Sequence, residues 1–366
     1  MSRVLTLPKV DRNDPMPRYL QVREILVEAI RSGLLLPGQK LPSTKEISSL
    51  VDISLITAHK ALEGLVDSGW LRREVGRGTY VRDDLDPAEG AQRRMYVGLL
   101  LDQHVNIDDY YHSTIINGLR QEARKNGQRV EFFFHDHFDL RDKGGKDVGA
   151  ICIHPTLGSQ ADVEHLAQRH PVVVLGGTFP ENRVAAVDCD NAYGARAAVR
   201  HLCGLGHRRF MVLSGPMSLS NARDRAAGAQ AQLAEYEIEL APRDCPVSRD
   251  SVVLDAATRE QVETSLTAPD RPTAIVAGGF YLALAAIQTA RHVGLRVPED
   301  VSIVGFDDPP SAPLLDPPLT TVRQPLDEMA ACAYRWLRQA IQEGGGEPRL
   351  TTLPTELLIR DSTRSV

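Results

Sequence analysis

From Tyr96 onward the chain alternates short, continuous apolar runs with longer amphipathic stretches. This pattern restricts the fold more than any other feature. A strand that is apolar at every position needs cover on both faces, and alternating helices supply that cover over a parallel sheet. The runs predict strands over 96–101 (YVGLLL), 129–134, 149–154, 172–176, 209–214, 251–254, 274–278 and 301–306. Helices are predicted near 112–125, 159–169, 191–204, 220–235, 256–267, 280–293 and 326–342. About 270 residues of this pattern exceed one comfortable core, so two α/β lobes are expected. Ligands in such sheets sit at the carboxyl ends of the strands, and two facing lobes make a cleft there.

The strand ends therefore name a candidate site. The first ends at Asp102, followed by Asp108, Asp109, Tyr110 and Tyr111. Others lead into Gly176-Gly177-Thr178, into Ser220-Asn221-Ala222-Arg223-Asp224-Arg225, and into Asp307-Asp308. An aromatic plate, a guanidinium fork and carboxylates suit a polyhydroxylated ligand. Its C–H face stacks on a ring, and its hydroxyls donate to carboxylate and accept from arginine. Asp188 and Asp190 have two readings, ligand contact or cap of the helix from Asn191; Arg223 and Arg225 can alternatively form surface ion pairs. His207, in a Leu-Gly-His-Arg-Arg turn, reads as structural.

The first 82 residues differ in character. They carry 13 Lys+Arg against 9 Asp+Glu, or +4, which leaves −10 for the remainder of a chain whose net charge is −6. Such asymmetry points one end toward a polyanion. Residues 17–82 read as helix, helix, helix, hairpin. Pro17 suits a first helical position, and Tyr19, Val22, Leu26, Ala29 and Ile30 recur at helical spacing to about Ser32. A turn with Pro37-Gly38 follows. Ser43-Thr44-Lys45-Glu46 is a capping box opening a helix that ends near Asp52, and Ser54 is the next N-cap. Ala58, Leu62, Leu65 and Val66 form the apolar stripe of the third helix, leaving Ile56, His59, Lys60 and Glu63 outward. Two short strands then flank a Gly-Arg-Gly tip at 76–78. This is the pattern of a winged helix-turn-helix, whose third helix enters a DNA major groove and whose helix N-termini receive phosphates. The wing can lay Arg77 in or beside the minor groove. Residues 83–95 are polar and charged and read as a linker.

Three runs in this segment, P-x-Y-x-Q-V-x-x-x-L, S-G-L-L-x-P-G-x-x-L-P-S and G-R-G-T-Y-V, resemble the DNA-binding domain of the GntR family, from Pro17 to Val81. The resemblance implies DNA contacts at Ser43, Lys45, Ser54, Thr57, His59, Arg77 and Gly78, and Lys60 on the outward face joins them. Leu55 stands where the family often has arginine, and Lys45 replaces another arginine, which alters guanine readout.

A second resemblance spans Tyr96 to Thr363. D-N-x-x-G-A-R-x-A-x-x-H-L-x-x-L-G-H-R-R from Asp190, R-P-T-A-I from Arg271, G-L-R-V-P-E-D-V-S-I-V-G-F-D-D from Gly294, P-P-L-T-T-V-R-Q-P from Pro317 and L-P-T-E-L-x-x-R-x-S-T from Leu353 are similar to the effector domain of LacI/GalR repressors. That resemblance implies a two-lobed periplasmic-binding-protein-like fold of parallel sheets flanked by helices, with three crossing segments. It also implies dimerisation through this body and an effector in the cleft that re-orients the lobes. Effector contacts fall on Arg225, Asp307 and Tyr110 or Tyr111, and Phe280 is a further candidate. Gly278-Gly279 stands where the family usually has Asn-Asp, so a carboxylate is lost and space is gained. His135 to Lys146 is too short for a full crossover helix between its flanking strands.

Composition narrows the remainder. At 42% apolar and 25% charged, the 366 residues are ordinary for a globular protein. No apolar run reaches the roughly 18 residues of a membrane helix, and MSRVLTLPKVDRNDP has no signal-peptide pattern, so a cytoplasmic protein without membrane contact is expected. Five scattered cysteines without C-x-x-C give no disulfide framework or zinc site. His135-Asp136-His137 lacks a third spaced ligand, so no metal is expected. Nucleotide, hydrolase and metalloprotease motifs are absent. An aminotransferase-like body would need a Schiff-base lysine, and after residue 82 only Lys125, Lys143 and Lys146 occur, none after a late strand. The expectation is a homodimeric, non-enzymatic regulator of carbohydrate-utilisation genes without a cofactor, binding double-stranded operator DNA and a small-molecule effector. The alternative is a cytosolic sugar-binding sensor whose winged helix contacts protein.

Overall fold

In a computed structural model, the chain forms two compact units, Met1–Arg94 and Met95–Val366. The structure describes residues 7–11, 18–31, 33–67, 70–74, 77–83, 96–101, 109–126, 128, 130–134, 148–250, 252–343 and 348–366. Asp102, Asp108, most of the expected linker, and the 135–147 segment with its histidines lie outside these residues.

The first unit holds α1 (Arg18–Arg31), α2 (Thr44–Leu50), α3 (Leu55–Asp67), β1 (Leu71–Glu74) and β2 (Gly78–Val81). Strands β1 and β2 pair antiparallel, Leu71 opposite Val81 and Glu74 opposite Gly78. The predicted capping box is formed: Ser43 N–H donates to Glu46 Oε2 at 2.7 Å, and Glu46 N–H returns to Ser43 Oγ at 3.3 Å. Ser54 Oγ accepts from Thr57 N–H at 3.2 Å, which starts α3. Val22, Leu26, Ile47, Ala58, Leu62 and Leu65 fuse the three helices into one core. Each large aliphatic there contributes about 1.5–3 kcal/mol.

The second unit contains two sheets. Lobe one has the order β12 (Leu350–Leu353), β7 (Ala185–Cys189), β6 (Val172–Leu175), β5 (Val148–Ile153), β3 (Tyr96–Leu101), β4 (Val130–Phe134), all parallel. Side chains alternate between its faces. Ile151, Ile153 and Leu175 meet α4 (Tyr110–Lys125) and α10 (Leu326–Glu343); Ala150, Cys152 and Val174 meet α5 (Gln160–Ala167). Lobe two has the order β13 (Glu356–Leu358), β11 (Thr320–Arg323), β10 (Ser302–Phe306), β9 (Ala274–Ala277), β8 (Phe210–Leu213), with β13 alone antiparallel. Helices α6 (Asn191–Gly204) and α7 (Ser220–Glu235) cover one face; α8 (Ala256–Thr267) and α9 (Phe280–His292) cover the other.

The chain passes between lobes three times, at Asp190 between β7 and α6, at Gln324-Pro325 between β11 and α10, and at Pro354-Thr355 between β12 and β13. Asp190 caps α6 by accepting from Tyr193 N–H at 2.8 Å. His207 bridges Thr273 and Ser302 at 2.9 and 3.1 Å, a structural role. The strand expected over 251–254 does not form among the described residues. Asp250 Oδ1 accepts from the backbone N–H groups of Val252 and Val253 at 2.7 and 3.2 Å, which closes a turn instead. Among the described residues no helix is long and apolar enough to cross a membrane.

Candidate functional site

The carboxyl ends of strands in both lobes converge on one cleft. Lobe one contributes Asp109, Tyr110, Tyr111 and His112 from the start of α4, and His154 after β5. Lobe two contributes Asn221 and Arg225 on α7, Gly278, Gly279, Phe280 and Tyr281 at the start of α9, Asp307 after β10 and Gln324 after β11. The sequence-predicted residues Tyr110, Tyr111, Arg225, Phe280 and Asp307 are thus brought together.

Arg225 is 7% exposed and held from three sides. Its Nε donates to Asn191 Oδ1 at 2.8 Å, Nη1 donates to the Gly278 carbonyl at 2.7 Å, and the guanidinium lies 4.3 Å from the Phe306 ring centroid. The surface ion-pair reading of Arg225 therefore gives way to a buried, oriented fork. Arg223 instead donates to the Met217 carbonyl at 2.7 Å. Asn191 donates in turn to Asp188 Oδ1 at 3.2 Å. Burial pushes the Asp188 carboxyl up to about 7. Burial likewise raises Asp307, against the pull of Arg225 and a hydrogen bond from Gln324. Asp307 takes a φ of 69°, a left-handed conformation that aspartate tolerates better than most residues.

Opposite them, Asp109 caps α4 through Oδ1 to His112 N–H at 2.7 Å, and its Oδ2 meets His112 Nδ1 at 2.8 Å. His154 leaves β5 with a φ of 53° and turns its ring into the cleft, where Nε2 lies 2.6 Å from Asn221 Nδ2. Burial, reinforced by His112, drives the His154 pKa down to about 3, so its ring is neutral. The rings of Tyr111 and His154 lie 5.2 Å apart, centre to centre. Tyr111 needs Gly176 beneath it, because a Cβ there would stand 1.7 Å from the Tyr111 hydroxyl. Gly279 faces open space, with nothing within 4 Å of an added Cβ.

Of the seven buried side-chain polar atoms without a hydrogen-bond partner among the described residues, four line this cleft: Tyr111 Oη, His112 Nε2, Asn221 Oδ1 and Arg225 Nη2. An orphaned buried polar atom costs about 1–3 kcal/mol, so four in one place mark a surface completed by something else. The lobes touch across the cleft through Leu157 N–H to the Ser218 carbonyl and Thr178 N–H to Ser220 Oγ, both at 2.9 Å. The space they enclose is about 60 Å³. That is less than the roughly 150 Å³ cavity that holds a benzene ring, so a ring-sized ligand requires the lobes to part.

His112, His154 and Gln324 were not singled out by the sequence. The spacing of Asp109 and His112, N-cap to third helical residue, was a readable signal. The inward turn of His154 had none.

In the first unit, Ser43, Lys45, Ser54, His59 and Arg77 are exposed and Thr57 is half-buried. His59 pairs with Glu63 at 3.1 Å. Lys60 Nζ sits 4.1 Å from the centre of the Tyr19 ring, so its ammonium is partly engaged within the unit. The Arg77 side chain is 80% exposed at the wing tip. Gly78 has a φ of 127°, and a Cβ there would stand 2.8 Å from Lys40 Cε.

Comparison with known proteins matches a different family model within each unit. A family model of bacterial regulatory proteins, gntR family, matches residues 18–81, and one of a periplasmic binding protein-like domain matches 199–363. The chain is 28% identical over 373 residues to the arabinose metabolism transcriptional repressor of Geobacillus stearothermophilus, spanning 96% of this chain and 99% of that one. It is 30% identical over 270 residues to the HTH-type transcriptional repressor CytR of Escherichia coli (strain K12), spanning 71% of this chain and 78% of that one. The solved lac repressor dimer bound to operator and the anti-inducer ONPF shares the fold, with a TM-score of 0.66 at 23% identity, covering 78% of this chain and 100% of that chain. The chain therefore belongs to the family of ligand-responsive, DNA-binding transcriptional repressors, with a gntR-type helix-turn-helix in front of a LacI-type periplasmic-binding-protein-like domain.

Proposed function

We propose that this protein represses carbohydrate-utilisation genes and is released from its operator by a sugar or sugar-derived effector bound in the cleft. It acts in the cytoplasm as a homodimer, without a catalytic step or cofactor. Residues 1–82 form the DNA-binding domain, 83–95 the linker, and 96–366 the effector and dimerisation domain. DNA contacts are assigned to Ser43, Lys45, Ser54, Thr57, His59, Lys60, Arg77 and Gly78. Effector contacts are assigned to Tyr110, Tyr111, Arg225, Phe280 and Asp307, with His112 and Asn221 added. The names of the relatives favour this reading, with arabinose metabolism in one and a dimer on operator in another.

The observation that carries it is the set of four orphaned atoms. Neutral His154 accepts from Asn221 Nδ2, so Asn221 Oδ1 is left as an acceptor. Asp109 Oδ2 accepts from His112 Nδ1, so Nε2 is the ring nitrogen left free to face a ligand. Arg225 Nη2 can only donate, and Tyr111 Oη does either. Adjacent hydroxyls, each donor and acceptor at once, satisfy all four; a ligand that only accepts leaves Asn221 Oδ1 unpaired. Phe280 and Tyr281, 5.3 Å apart edge to face, offer apolar walls for C–H faces.

Thermal-shift measurement over a panel of neutral sugars, with and without Arg225→Ala, tests this. The effector stabilises the native chain, by about 2.7 kcal/mol at a hundredfold excess over its Kd. The variant loses that shift and keeps operator binding. An unchanged shift removes Arg225 from the site.

A further inference from the structure

The first turn of α3 carries two large apolar side chains that are exposed. Leu55 is 54% and Ile56 82% exposed, whereas Ala58, Ala61, Leu62 and Leu65 of the same helix are buried. Polar groups on the outward face are engaged locally. The hydroxyls of Ser54 and Thr57 lie 2.7 Å apart, His59 pairs with Glu63, and Lys60 rests on Tyr19. Between Ser54 and Asp67 the sequence has no Arg, Asn or Gln. The helix therefore lacks the side chains that read guanine by an arginine fork and adenine by a bidentate amide. The first-turn side chains Leu55 and Ile56 are apolar, and the apolar group displayed in the major groove is the C5-methyl of thymine.

We propose that Leu55 and Ile56 form a methyl-reading tip, packing on thymine C5-methyl groups in each operator half-site. This rests on the DNA-binding reading of the first unit. The occupant is DNA rather than another protein because the patch is continuous with the helix start presented by Ser54 and Thr57. It also belongs to a segment, residues 1–82, that carries +4 and displays the exposed cations Lys45 and Arg77. A helix entering a groove leads with its N-terminal residues. Specificity then falls on A·T pairs at the positions these two side chains reach.

The test uses the full chain. Duplexes are selected from a randomised pool, and each thymine of the enriched site is then replaced in turn by uracil, which pairs identically but lacks the methyl. Uracil is expected to weaken binding about fourfold for each methyl read, from the transfer of one methyl-sized group out of water. Ile56→Ala should bind the thymine and uracil duplexes equally at its own position, and Leu55→Ala at the neighbouring one. Both side chains are exposed, so melting temperature should not move. Equal affinity for thymine and uracil at every position would overturn the proposal, as would discrimination surviving in both variants. So would a change in self-association, rather than in DNA affinity, on Ile56→Ala. If the pool yields no enriched duplex, the DNA-binding reading itself fails, which is a separate result.

Discussion

At the scale of single residues, His154 in the cleft and Asp188 behind it titrate in opposition. Asp188 has an ordinary value of 3.8 and is held up to about 7 by burial. Between these values the folded chain keeps a proton that the unfolded chain has released, so stability falls as pH rises through that window. His154 has an ordinary value of 6.5 and is held down to about 3, again by burial. There the unfolded chain binds a proton that the folded chain refuses, so stability falls as pH drops through that window. Each slope is at most about 1.4 kcal/mol per pH unit, and between about pH 4 and 6.5 they oppose. Asp307 and Asp224, also raised by burial, add to the slope of Asp188. Asp188→Asn should therefore unmask His154, and its stability relative to the parent should climb with pH across that range. His154→Gln should show the reverse trend. Urea unfolding of the full chain at several pH values measures both differences, and pH-independent differences would contradict the assigned burial. The two residues differ in how far the sequence announced them. Asp188 precedes a helix predicted from its own periodicity, whereas the turn of His154 into the cleft depends on a left-handed backbone at the end of β5, which no local pattern encodes.

At the scale of elements, the helices of the second unit were the most legible part of the chain, because their apolar spacing is set by a single packed face. Those over 191–204, 220–235 and 256–267 form with the predicted bounds. Strands β7, β11, β12 and β13 were not predicted. β7 reads AAVDC and β11 TTVR, short and only partly apolar, while β12 and β13 are half-exposed edges whose pairing comes from distant chain. Tertiary context decides such segments. The contact of α6 with α7 is the close one in lobe two. A Cβ on Gly228 would stand 2.4 Å from the Ala192 carbonyl oxygen and 2.7 Å from its Cα, so the obstacle is backbone. Gly228→Ala should force the helices apart and destabilise the chain by about 1–3 kcal/mol. Because Asn191 on α6 holds Arg225 on α7, the same change should weaken effector binding. Gly204→Ala, where nothing lies within 4 Å, is the control and should leave both properties intact. Equal behaviour of the two variants in unfolding and ligand titration would mean that the approach of α6 to α7 carries no energy.

At the scale of the whole molecule, charge is divided unequally along the chain. Residues 1–82 carry +4, and the remainder, with a net of −6 for the chain, carries −10. A cationic module that neutralises phosphates releases counterions, so operator affinity should fall steeply as salt rises. A neutral polyol bound in the cleft releases none, and its affinity should hardly respond. Arg77 is the cleanest probe, since its side chain is 80% exposed and its nearest carboxylate, on Glu74, is 3.9 Å away. Arg77→Ala should reduce the slope of log affinity against log salt by about 0.9, the value for one phosphate contact on B-DNA. On the proposed function, effector and operator are linked through one coupling free energy, and allosteric couplings typically run about 1–3 kcal/mol, a factor of 5 to 150. Saturating effector should weaken operator binding by that factor, and saturating operator should weaken effector binding equally. Fluorescence anisotropy of labelled operator, repeated across salt concentrations with and without effector, reads the slope and the coupling together. A flat salt response would turn the winged helix into a protein-contact module. A coupling factor of one would leave the cleft a binding site with no hold over DNA.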